Sequence, residues 1–451
     1  HEAIPVIPEI IDYWNQEYPE KKIEQKDFEY YIQQIKDYKS KFKSYEGELR
    51  GSKYAHLLPG VLSTRMWIKQ RNTQIEYLYE KYTEPCATIA WILDPKGDKE
   101  EGSTYPYSYI LTGLKWLIKN HPHDSICGCS IDQVHNEMIT RFNWSEQIGE
   151  EIFKDSLNSL YVNINVKSLP EKSTRILVFN PLPWKREDIV KFEIITEDYK
   201  AKKSLDKDIK ILDYNNNPID FQICDSELKP RYKQVGNVSH IISFLAELPP
   251  LGYKLFSLVK KEDHEEQQEK NDFEQMKDFS VNASGIENSY YKIEVTKEGL
   301  ITLLDKESDK LYEKFCFFED TGDWGDEYDF SGPNPNQRDM KYTTRDGIVT
   351  EIEPLLDGPT HKILKIEMDL KLPTSLTNNR EQRETFLFSN PLEIYISLYR
   401  GIKRIDLKIK MKNRSKDHRF RVLFNSKISG IRAEKVYADG HFYIIPRNIS
   451  L

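Results

Sequence analysis

The sequence predicts a multidomain protein of the α+β class, in which helices come first and strands follow. Apolar residues in the first 160 positions recur at intervals of three and four, the period of an amphipathic helix. From Arg175 onward the period changes to two and proline becomes frequent, which is typical of strands. A chain of 451 residues has room for about three domains. We therefore expect helical and β domains in succession, each with its own core.

The helical part divides into a short leading segment and a bundle. In residues 1–45, Phe28, Ile32 and Ile35 have helical spacing ahead of a lysine-rich stretch, and this segment is too small to fold alone. Residues 46–165 are predicted to form a three-helix bundle, whose apolar stripes pack against one another. Its helices are expected at residues 66–81, 105–119 and 131–160.

The β part is predicted to consist of a small β domain at 166–259 and a large β-sandwich at 281–451. In the small domain, 175–179 and 241–245 are expected to be strands. Residues 260–280, rich in Lys, Glu, Gln and Asp, are predicted to be a linker or loop. Three runs of the large region alternate apolar and polar residues, as strands with one buried face do. Their apolar members are Ile366, Met368, Leu370 and Leu372; Leu392, Ile394, Ile396 and Leu398; and Ile405, Leu407, Ile409 and Met411.

Charge and composition exclude several classes of partner. The net charge is -8 and basic residues alternate with acidic ones, so we expect no nucleic-acid partner. No stretch reaches the roughly 20 apolar residues of a membrane span, and the chain does not open with a signal peptide, so no membrane partner is expected. Five scattered cysteines do not suggest a disulfide framework, and a reducing, cytoplasmic location is predicted. A homodimer is compatible with the sequence.

The most informative stretch is residues 120–138, where one predicted helix ends and the next begins. Asn120 and Pro122 stop the first helix, and Ser130 with Gln133 three residues later has the form of a capping box for the second. The loop at 121–129 is therefore held at both ends. The apolar faces of the two helices are expected to consist of Tyr109, Gly113, Trp116 and Leu117 and of Val134, Met138 and Phe142.

This loop contains side chains that bind metals. His123 beside Asp124 offers an imidazole nitrogen and a carboxylate oxygen, both of which zinc accepts. A His-Asp pair in a loop is more often a hydrogen-bonded surface pair, and a zinc site needs further ligands. Cys127 and Cys129 are separated by one residue, whereas zinc knuckles and redox pairs use two. We expect these cysteines to be ordinary free thiols.

Residues 123–132 resemble the His-Asp-x-x-x-Gly-x-Ser-x-Asp signature of glycoside hydrolase family 38, the zinc-dependent retaining α-mannosidases. Four further segments resemble the family and occur in its order. They resemble the start of the helical middle domain, the first strand of the small β domain, an acidic loop that reaches the active site, and a strand of the large C-terminal region. These segments are residues 47–72, 178–184, 320–330 and 414–424.

The resemblance also implies that the chain is an internal portion of a longer enzyme. The family's catalytic α/β domain supplies a His-x-Asp zinc pair, a nucleophilic Asp and a general-acid Asp, and none of these motifs is matched here. Residues 1–45 resemble the C-terminal tail of that domain, and the large β region ends early. We expect no catalytic residue within this chain and no activity from this portion alone.

For the site, the resemblance implies one zinc ion per active site and hydrolysis of an α-mannoside through a covalent mannosyl-enzyme. His123 would be one of four zinc ligands, and zinc would hold two hydroxyls of the mannose ring. Asp124 would contact the sugar or orient the imidazole, two roles that the sequence does not separate. Tyr328, in the acidic loop, would reach the sugar.

The acidic loop at 319–329 has two other interpretations. It is a glycine-rich turn whose carboxylates are solvated, or a calcium loop, although its spacing differs from the twelve-residue calcium motif. We assign a sugar contact to Tyr328 only and treat Asp326 as a turn residue.

Two other functions stay open. Mannosylglycerate hydrolysis uses the same zinc chemistry in related enzymes, and a basic pocket beyond the sugar would favour it. A non-catalytic carbohydrate-binding β-sandwich would bind sugar without zinc. A serine hydrolase built on Ser125 is set aside, because no Gly-x-Ser-x-Gly sequence surrounds a serine here.

Overall fold

A computed structural model describes residues 4–44, 56–93, 105–196, 208–224, 238–261, 278–333, 340–427, 435–439 and 444–448. It confirms the prediction of a multidomain protein of mixed helices and sheets. The described residues belong to two compact units, one formed by residues 1–57 with 428–451 and the other by residues 58–427. The domain boundaries expected at 45, 165 and 259 stay predictions.

The smaller unit contains helices α1 (Ile7–Glu17) and α2 (Phe28–Lys36). Helix α2 starts at Asp27, whose carboxylate accepts a hydrogen bond from the Tyr30 backbone N–H at 2.7 Å. The predicted helical spacing at Phe28 and Ile32 therefore falls in a real helix. No residue of α1 or α2 is buried within the described part of the chain.

The larger unit begins with helices that surround one apolar core. Helix α3 (Met66–Tyr77) passes through a π-helical turn (Leu78–Thr83) into α4 (Glu84–Leu93). The later helices are α5 (Tyr107–Ile118), α6 (His123–Cys127) and α7 (Asp132–Val162). Residues 45–55, where the predicted bundle begins, lie outside the described residues. The core consists of Ile68, Ile75, Tyr79, Ala87, Ile110, Leu117, Met138, Phe142 and Ile152.

Small residues allow these helices to approach closely. A Cβ atom on Gly113 would lie 1.8 Å from the Tyr79 hydroxyl oxygen. That hydroxyl donates to the Ser145 carbonyl at 2.7 Å, and the Ser145 hydroxyl donates to the Gly113 carbonyl at 2.8 Å. Hydrogen bonds therefore satisfy the buried polar groups where α5 and α7 meet the π-helical turn.

Two local predictions about these helices are wrong. Tyr109 is 68% exposed, because the buried face of α5 consists of Ile110 with Gly113 and Leu117, the latter two as predicted. The capping box does not form, since α7 begins at Asp132 with Ile131 as its N-cap and no side-chain cap. Gln133 instead donates to Glu137 one turn further along the helix.

Seven strands follow in two antiparallel sheets that share a core. One sheet has the order β1-β7-β3-β4 and the other β2-β6-β5. The strands predicted at 175–179 and 241–245 lie within β1 and β6. The seven are β1 (Thr174–Asn180), β2 (Arg186–Thr196), β3 (Ile209–Leu212), β4 (Pro218–Ile219), β5 (Phe221–Ile223), β6 (Val238–Leu248) and β7 (Gly252–Lys260). Their shared core contains Ile176, Ile211, Ile242, Phe244 and Phe256.

Twelve strands of the described chain form the large β region, in sheets ordered β12-β11-β10-β9-β8, β14-β13-β19 and β15-β16-β17-β18. One apolar core contains residues of all three sheets, and the alternate residues predicted at 366–372 and 392–398 are buried in it. Most of the predicted linker at 260–280 lies outside the described residues. The strands are β8 (Ser280–Asn282), β9 (Gly285–Glu287), β10 (Tyr291–Val295), β11 (Ile301–Asp305), β12 (Lys310–Glu313), β13 (Phe317–Gly322), β14 (Tyr342–Thr343), β15 (Ile348–Asp357), β16 (His361–Pro373), β17 (Leu387–Tyr399), β18 (Ile405–Met411) and β19 (His418–Leu423).

The last two strands, β20 (Lys435–Asp439) and β21 (Ile444–Asn448), form an antiparallel pair in the smaller unit. Among the helices of the described residues, none combines the length and apolar character that crossing a membrane requires.

A buried polar cluster joins the small β sheets to the large β region. The Gln222 side chain accepts hydrogen bonds from the Thr360 backbone N–H at 2.9 Å and hydroxyl at 2.8 Å. Its amide nitrogen lies 3.1 Å from His361 Nδ1. His361 is 1% exposed. Because each group has a partner, this junction tolerates burial of a histidine.

The burial of His361 predicts that the stability of the protein depends on pH. Desolvation lowers the pKa of His361 to about 4 from its ordinary 6.5. The folded state keeps the imidazole neutral, whereas the unfolded chain takes up a proton below about pH 6.5. The free energy of unfolding should therefore fall as the pH decreases from about 6.5 to about 4, by up to about 3 kcal/mol. The melting temperature of the protein with His361→Gln should fall less over this range than that of the wild type. Equal declines in the two proteins would show that His361 is not the source.

Candidate active site

The stretch with His123 and Asp124 is a short helix and not the loop that the sequence predicts. Pro122 precedes α6 with an extended ψ of 137°, and Gly128 ends it in the left-handed region with φ +87°. A Cβ atom on Gly128 would lie 3.2 Å from the Thr64 carbonyl oxygen. Glycine is therefore required here both for its backbone conformation and for close packing.

His123 and Asp124 lie side by side at the surface of α6. The imidazole Nε2 is 3.3 Å from the Asp124 Oδ1, and the two side chains are 89% and 57% exposed. This geometry suits a surface ion pair, and it also leaves both groups open to a metal ion or a sugar. Asp124 contacts one more side chain, since the Cys129 thiol lies 3.6 Å from the same carboxylate oxygen.

A segment at residues 60–69, which we call the bridging segment, holds the end of α6 in place. The Arg65 Nε donates to the Gly128 carbonyl at 3.0 Å, and the guanidinium pairs with Asp132 at 2.7 Å. Lys69 donates to the Cys127 carbonyl at 2.9 Å, and burial lowers the pKa of its ammonium group. These bonds fix the backbone that follows His123 and Asp124.

The same segment contacts the acidic loop, more than 200 residues further along the chain. The Thr64 hydroxyl donates to the Glu327 carbonyl at 2.7 Å. Gly60 lies so close to Tyr328 that a Cβ atom there would be 2.6 Å from its carbonyl oxygen. The bridging segment therefore brings the α6 turn and the acidic loop together.

Side chains of the loop define its shape. The Asp326 carboxylate accepts from the backbone N–H groups of Tyr328 at 2.9 Å and Asp329 at 3.1 Å. Asp323 does the same for Gly325 and Ser331, at 2.9 and 3.0 Å. Asp326 is thus a turn residue. These two carboxylates bind the loop's own backbone, which argues against the calcium interpretation.

Buried charges anchor the start of the loop. Asp320 in β13 is fully buried and pairs with Arg383 at 2.5 Å and with His418 Nδ1 at 2.5 Å. His418 belongs to β19, which pairs with β13. The segments 320–330 and 414–424, which are about 90 positions apart in the sequence, therefore begin and pass through neighbouring strands of one sheet.

Tyr328 extends from this loop to the α6 turn. Its neighbours on the α6 turn include the side chains of Cys129 and Asp124. The nearby Cys129 side chain, with the carboxylates of Asp124 and Asp326, raises the pKa of the phenol. The phenol therefore stays protonated at neutral pH. Asp124, which lies beside His123, is thus a neighbour of Tyr328, and the three residues that the sequence singles out lie in one region.

The metal site can be tested against these side chains. An exposed imidazole beside a carboxylate fits two positions of a zinc site. Within the described residues, however, no three His, Cys, Asp or Glu side chains are grouped so that they could hold a metal ion. His123 and Asp124 can thus supply part of a ligand set.

Sequence reasoning missed the roles of Thr64, Arg65, Lys69 and Cys129. The bridging residues lie in a segment whose only sequence signal is its resemblance to the family, and these partners lie 58 to 263 positions away. Nothing local in the sequence signals these hydrogen bonds.

Gly60 should be essential for docking of the acidic loop. We expect Gly60→Ala to displace the Tyr328 backbone, since the added Cβ atom would lie 2.6 Å from its carbonyl oxygen. The matched control is Gly332→Ala, three residues beyond the acidic loop, where the nearest atoms to an added Cβ are 3.7 Å away, an ordinary contact. The melting temperature should fall clearly with Gly60→Ala and change little with Gly332→Ala. Equal shifts for the two variants would contradict the close approach.

Comparisons with known proteins agree with this architecture. Residues 56–160 match the family described as "Alpha mannosidase middle domain", and residues 286–449 match "Glycosyl hydrolases family 38 C-terminal domain". A putative mannosylglycerate hydrolase from Halalkalibacterium halodurans is 25% identical over 471 aligned positions, covering 95% of this chain and 50% of the relative. The chain thus spans half the length of this curated relative.

Two solved structures have a similar fold. The crystal structure of an alpha-mannosidase from Enterococcus faecalis has a TM-score of 0.75 at 23% identity, covering 99% of this chain and 52% of that one. A protein of glycosyl hydrolase family 38 from the same species has a TM-score of 0.75 at 24% identity, with coverages of 99% and 53%. With two matched domains in family order, this chain belongs to glycoside hydrolase family 38.

Proposed function

We propose that the full-length protein is a zinc-dependent, retaining α-mannosidase acting on terminal α-mannosides, and that this chain forms one wall of its active site. The observation that carries the proposal is the meeting of His123 and Asp124 with Tyr328, from elements about 200 residues apart. An exposed metal-binding pair and a protonated phenol at one place suit a polyhydroxylated substrate, whose hydroxyls both donate and accept hydrogen bonds.

Each of the three side chains has a role in this proposal. The His123 imidazole holds the metal ion through one of its nitrogens. Asp124 accepts hydrogen bonds from sugar hydroxyls or keeps the imidazole in its orientation, for which the 3.3 Å separation is suitable. The Tyr328 phenol, whose raised pKa keeps its proton in place, donates a hydrogen bond to the sugar.

The remaining chemistry belongs to groups outside these residues. Zinc, when bound, orients the sugar and stabilises charge that develops during the reaction. Retaining hydrolysis also needs two carboxylates about 5 Å apart. We assign both carboxylates and the other zinc ligands to part of the protein beyond this chain, and we therefore expect this portion alone to be inactive.

A mannosylglycerate hydrolase is the second candidate, because the relative from H. halodurans carries that name. Such a substrate adds a carboxylate, which a basic pocket would recognise. Arg65 and Lys69 border the α6 turn, but both are engaged: Arg65 with Gly128 and Asp132, and Lys69 with the Thr64 and Cys127 carbonyls. Because both cations are engaged, the part of the site that this chain forms favours a neutral mannoside over a substrate with a carboxylate.

Turnover of two substrates by the full-length protein separates these functions. The enzyme, stripped of metal with a chelator and then reloaded with zinc, is assayed on an aryl α-mannoside and on mannosylglycerate. We expect zinc to restore hydrolysis of the aryl mannoside, with retention of configuration. Preference for mannosylglycerate would favour the second candidate. Mannose binding that is independent of zinc, without turnover of either compound, would indicate a carbohydrate-binding protein.

His123 should be required for both zinc and activity. In the full-length enzyme, we expect His123→Ala to lower kcat/KM at least about 100-fold and to lose zinc together with turnover. His121→Gln is the matched control, because His121 is half-buried and its Nε2 lies 2.7 Å from the Asn72 side chain. Zinc content by elemental analysis and kcat/KM are measured on both variants. Retained zinc and wild-type turnover in His123→Ala would refute the assignment.

A further inference from the structure

A cavity of about 650 Å³ lies in the larger unit, away from the candidate active site. It is lined by the residues that follow α7, by the β3–β4 turn, and by the ends of β6 and β7 that a short turn joins. Cavities of this size, where different parts of a fold meet, are typical of sites for small ligands. The main lining segments are residues 164–165, 213–215, 245–247 and 253–256.

Helix α7 separates this cavity from the candidate active site. Its 31 residues span about 45 Å. Asp132, its first residue, pairs with Arg65 beside the α6 turn, whereas Ile164 at the cavity lies just beyond its last residue. A ligand in the cavity is therefore distinct from a sugar held by His123 and Asp124.

Two tyrosines and an apolar wall give the cavity its shape. Tyr214 and Tyr253 are 51% and 43% exposed, whereas Leu255 and Phe256, which also line the cavity, are buried. A sugar ring has C–H groups on its faces and hydroxyls around its edge. Apolar side chains beside amphipathic tyrosines suit such a ligand.

Several polar groups at the cavity are available to a ligand. Within the described parts of the chain, the hydroxyls of Tyr214 and Tyr253 and the side-chain amide of Asn215 have no hydrogen-bond partner. The Asn165 side-chain oxygen accepts from the Lys167 backbone N–H at 3.1 Å, and its amide nitrogen is left as a donor. Together these groups can both donate and accept, as the recognition of hydroxyls requires.

The charged side chains at the cavity are engaged with protein groups. The Asp213 carboxylate accepts from the Asn215 backbone N–H at 2.8 Å. Glu247 pairs with Lys185 at 2.6 Å and lies 4.0 Å from Lys254. Because these charges have partners, the cavity favours a neutral ligand over an anion or a cation.

We propose that this cavity is a second carbohydrate-binding site, which takes one neutral hexose unit of a glycan and is separate from the active site. The tyrosine rings contact the C–H groups of the sugar, and the Asn215 amide with the tyrosine hydroxyls binds its hydroxyl groups. Such a site adds affinity for a polymeric glycan without contacting the reacting sugar.

Affinity electrophoresis of the full-length protein in gels that contain soluble mannan tests this site. Mannan is the probe because the proposed substrate is an α-mannoside. We expect mannan to retard the wild type, and the double variant Tyr214→Ala with Tyr253→Ala to have a dissociation constant at least about tenfold higher. Tyr77→Ala is the matched control, because Tyr77 is a similarly exposed tyrosine on α3, at 53%. Its affinity for mannan should equal that of the wild type.

A second double variant covers the case in which the alanine substitutions prevent folding. Tyr214→Phe with Tyr253→Phe removes only two hydroxyls, which have no hydrogen-bond partner within the described residues. We expect its melting temperature to match that of the wild type and its dissociation constant for mannan to rise at least about threefold.

Kinetics show whether the two sites are separate. Because α7 lies between them, kcat/KM of both double variants on an aryl α-mannoside should stay within about twofold of wild type. No retardation of the wild type, or unchanged mannan affinity in the folded double variants, would overturn the second site and leave the proposed function intact. A wild type that binds mannan through these tyrosines but hydrolyses no mannoside would overturn the proposed function and support the second site.

Discussion

The hydrogen bond from the Thr64 hydroxyl to the Glu327 carbonyl joins the helices to the acidic loop, and the candidate site depends on it. At 2.7 Å it links residues 263 positions apart. One such bond contributes only about 1 kcal/mol, so the close approach of Gly60 to Tyr328 is equally important. Together they determine that Tyr328 faces the α6 turn and is not an isolated surface tyrosine.

This contact is effective because both partners are held rigidly behind it. The bridging segment is fixed to α6 and α7 through Arg65, which bonds Gly128 and Asp132. The loop emerges from β13 at Asp320, a buried carboxylate with two partners. Functional side chains on loops need such frames, since misplacement by about 1 Å is costly in catalysis. The strands supply the frame, and the loop supplies the phenol.

Much of the fold was predictable from sequence because its signals are local. Alternation at Ile366 to Leu372 marks a strand with one buried face, and the core of the large β region contains those residues. Errors arose where tertiary contacts override a local preference. Ser130 and Gln133 have the sequence of a capping box, yet α7 starts at Asp132, which pairs with Arg65.

The site was predictable only through resemblance, which singled out His123, Asp124 and Tyr328. Their convergence depends on Thr64 and Gly60, whose partners no periodicity or spacing indicates. A hydrogen bond over 263 positions has no local signature.

The most direct test of a shared active-site wall is a crystal structure of the full-length protein with zinc and an unreacted mannoside analogue. Anomalous scattering at the zinc edge locates the metal independently of its ligands. We predict a zinc peak about 2.1 Å from a His123 ring nitrogen, with the Tyr328 hydroxyl within hydrogen-bonding distance of the bound sugar. A zinc ion held without His123, or a sugar bound far from Tyr328, would contradict the account.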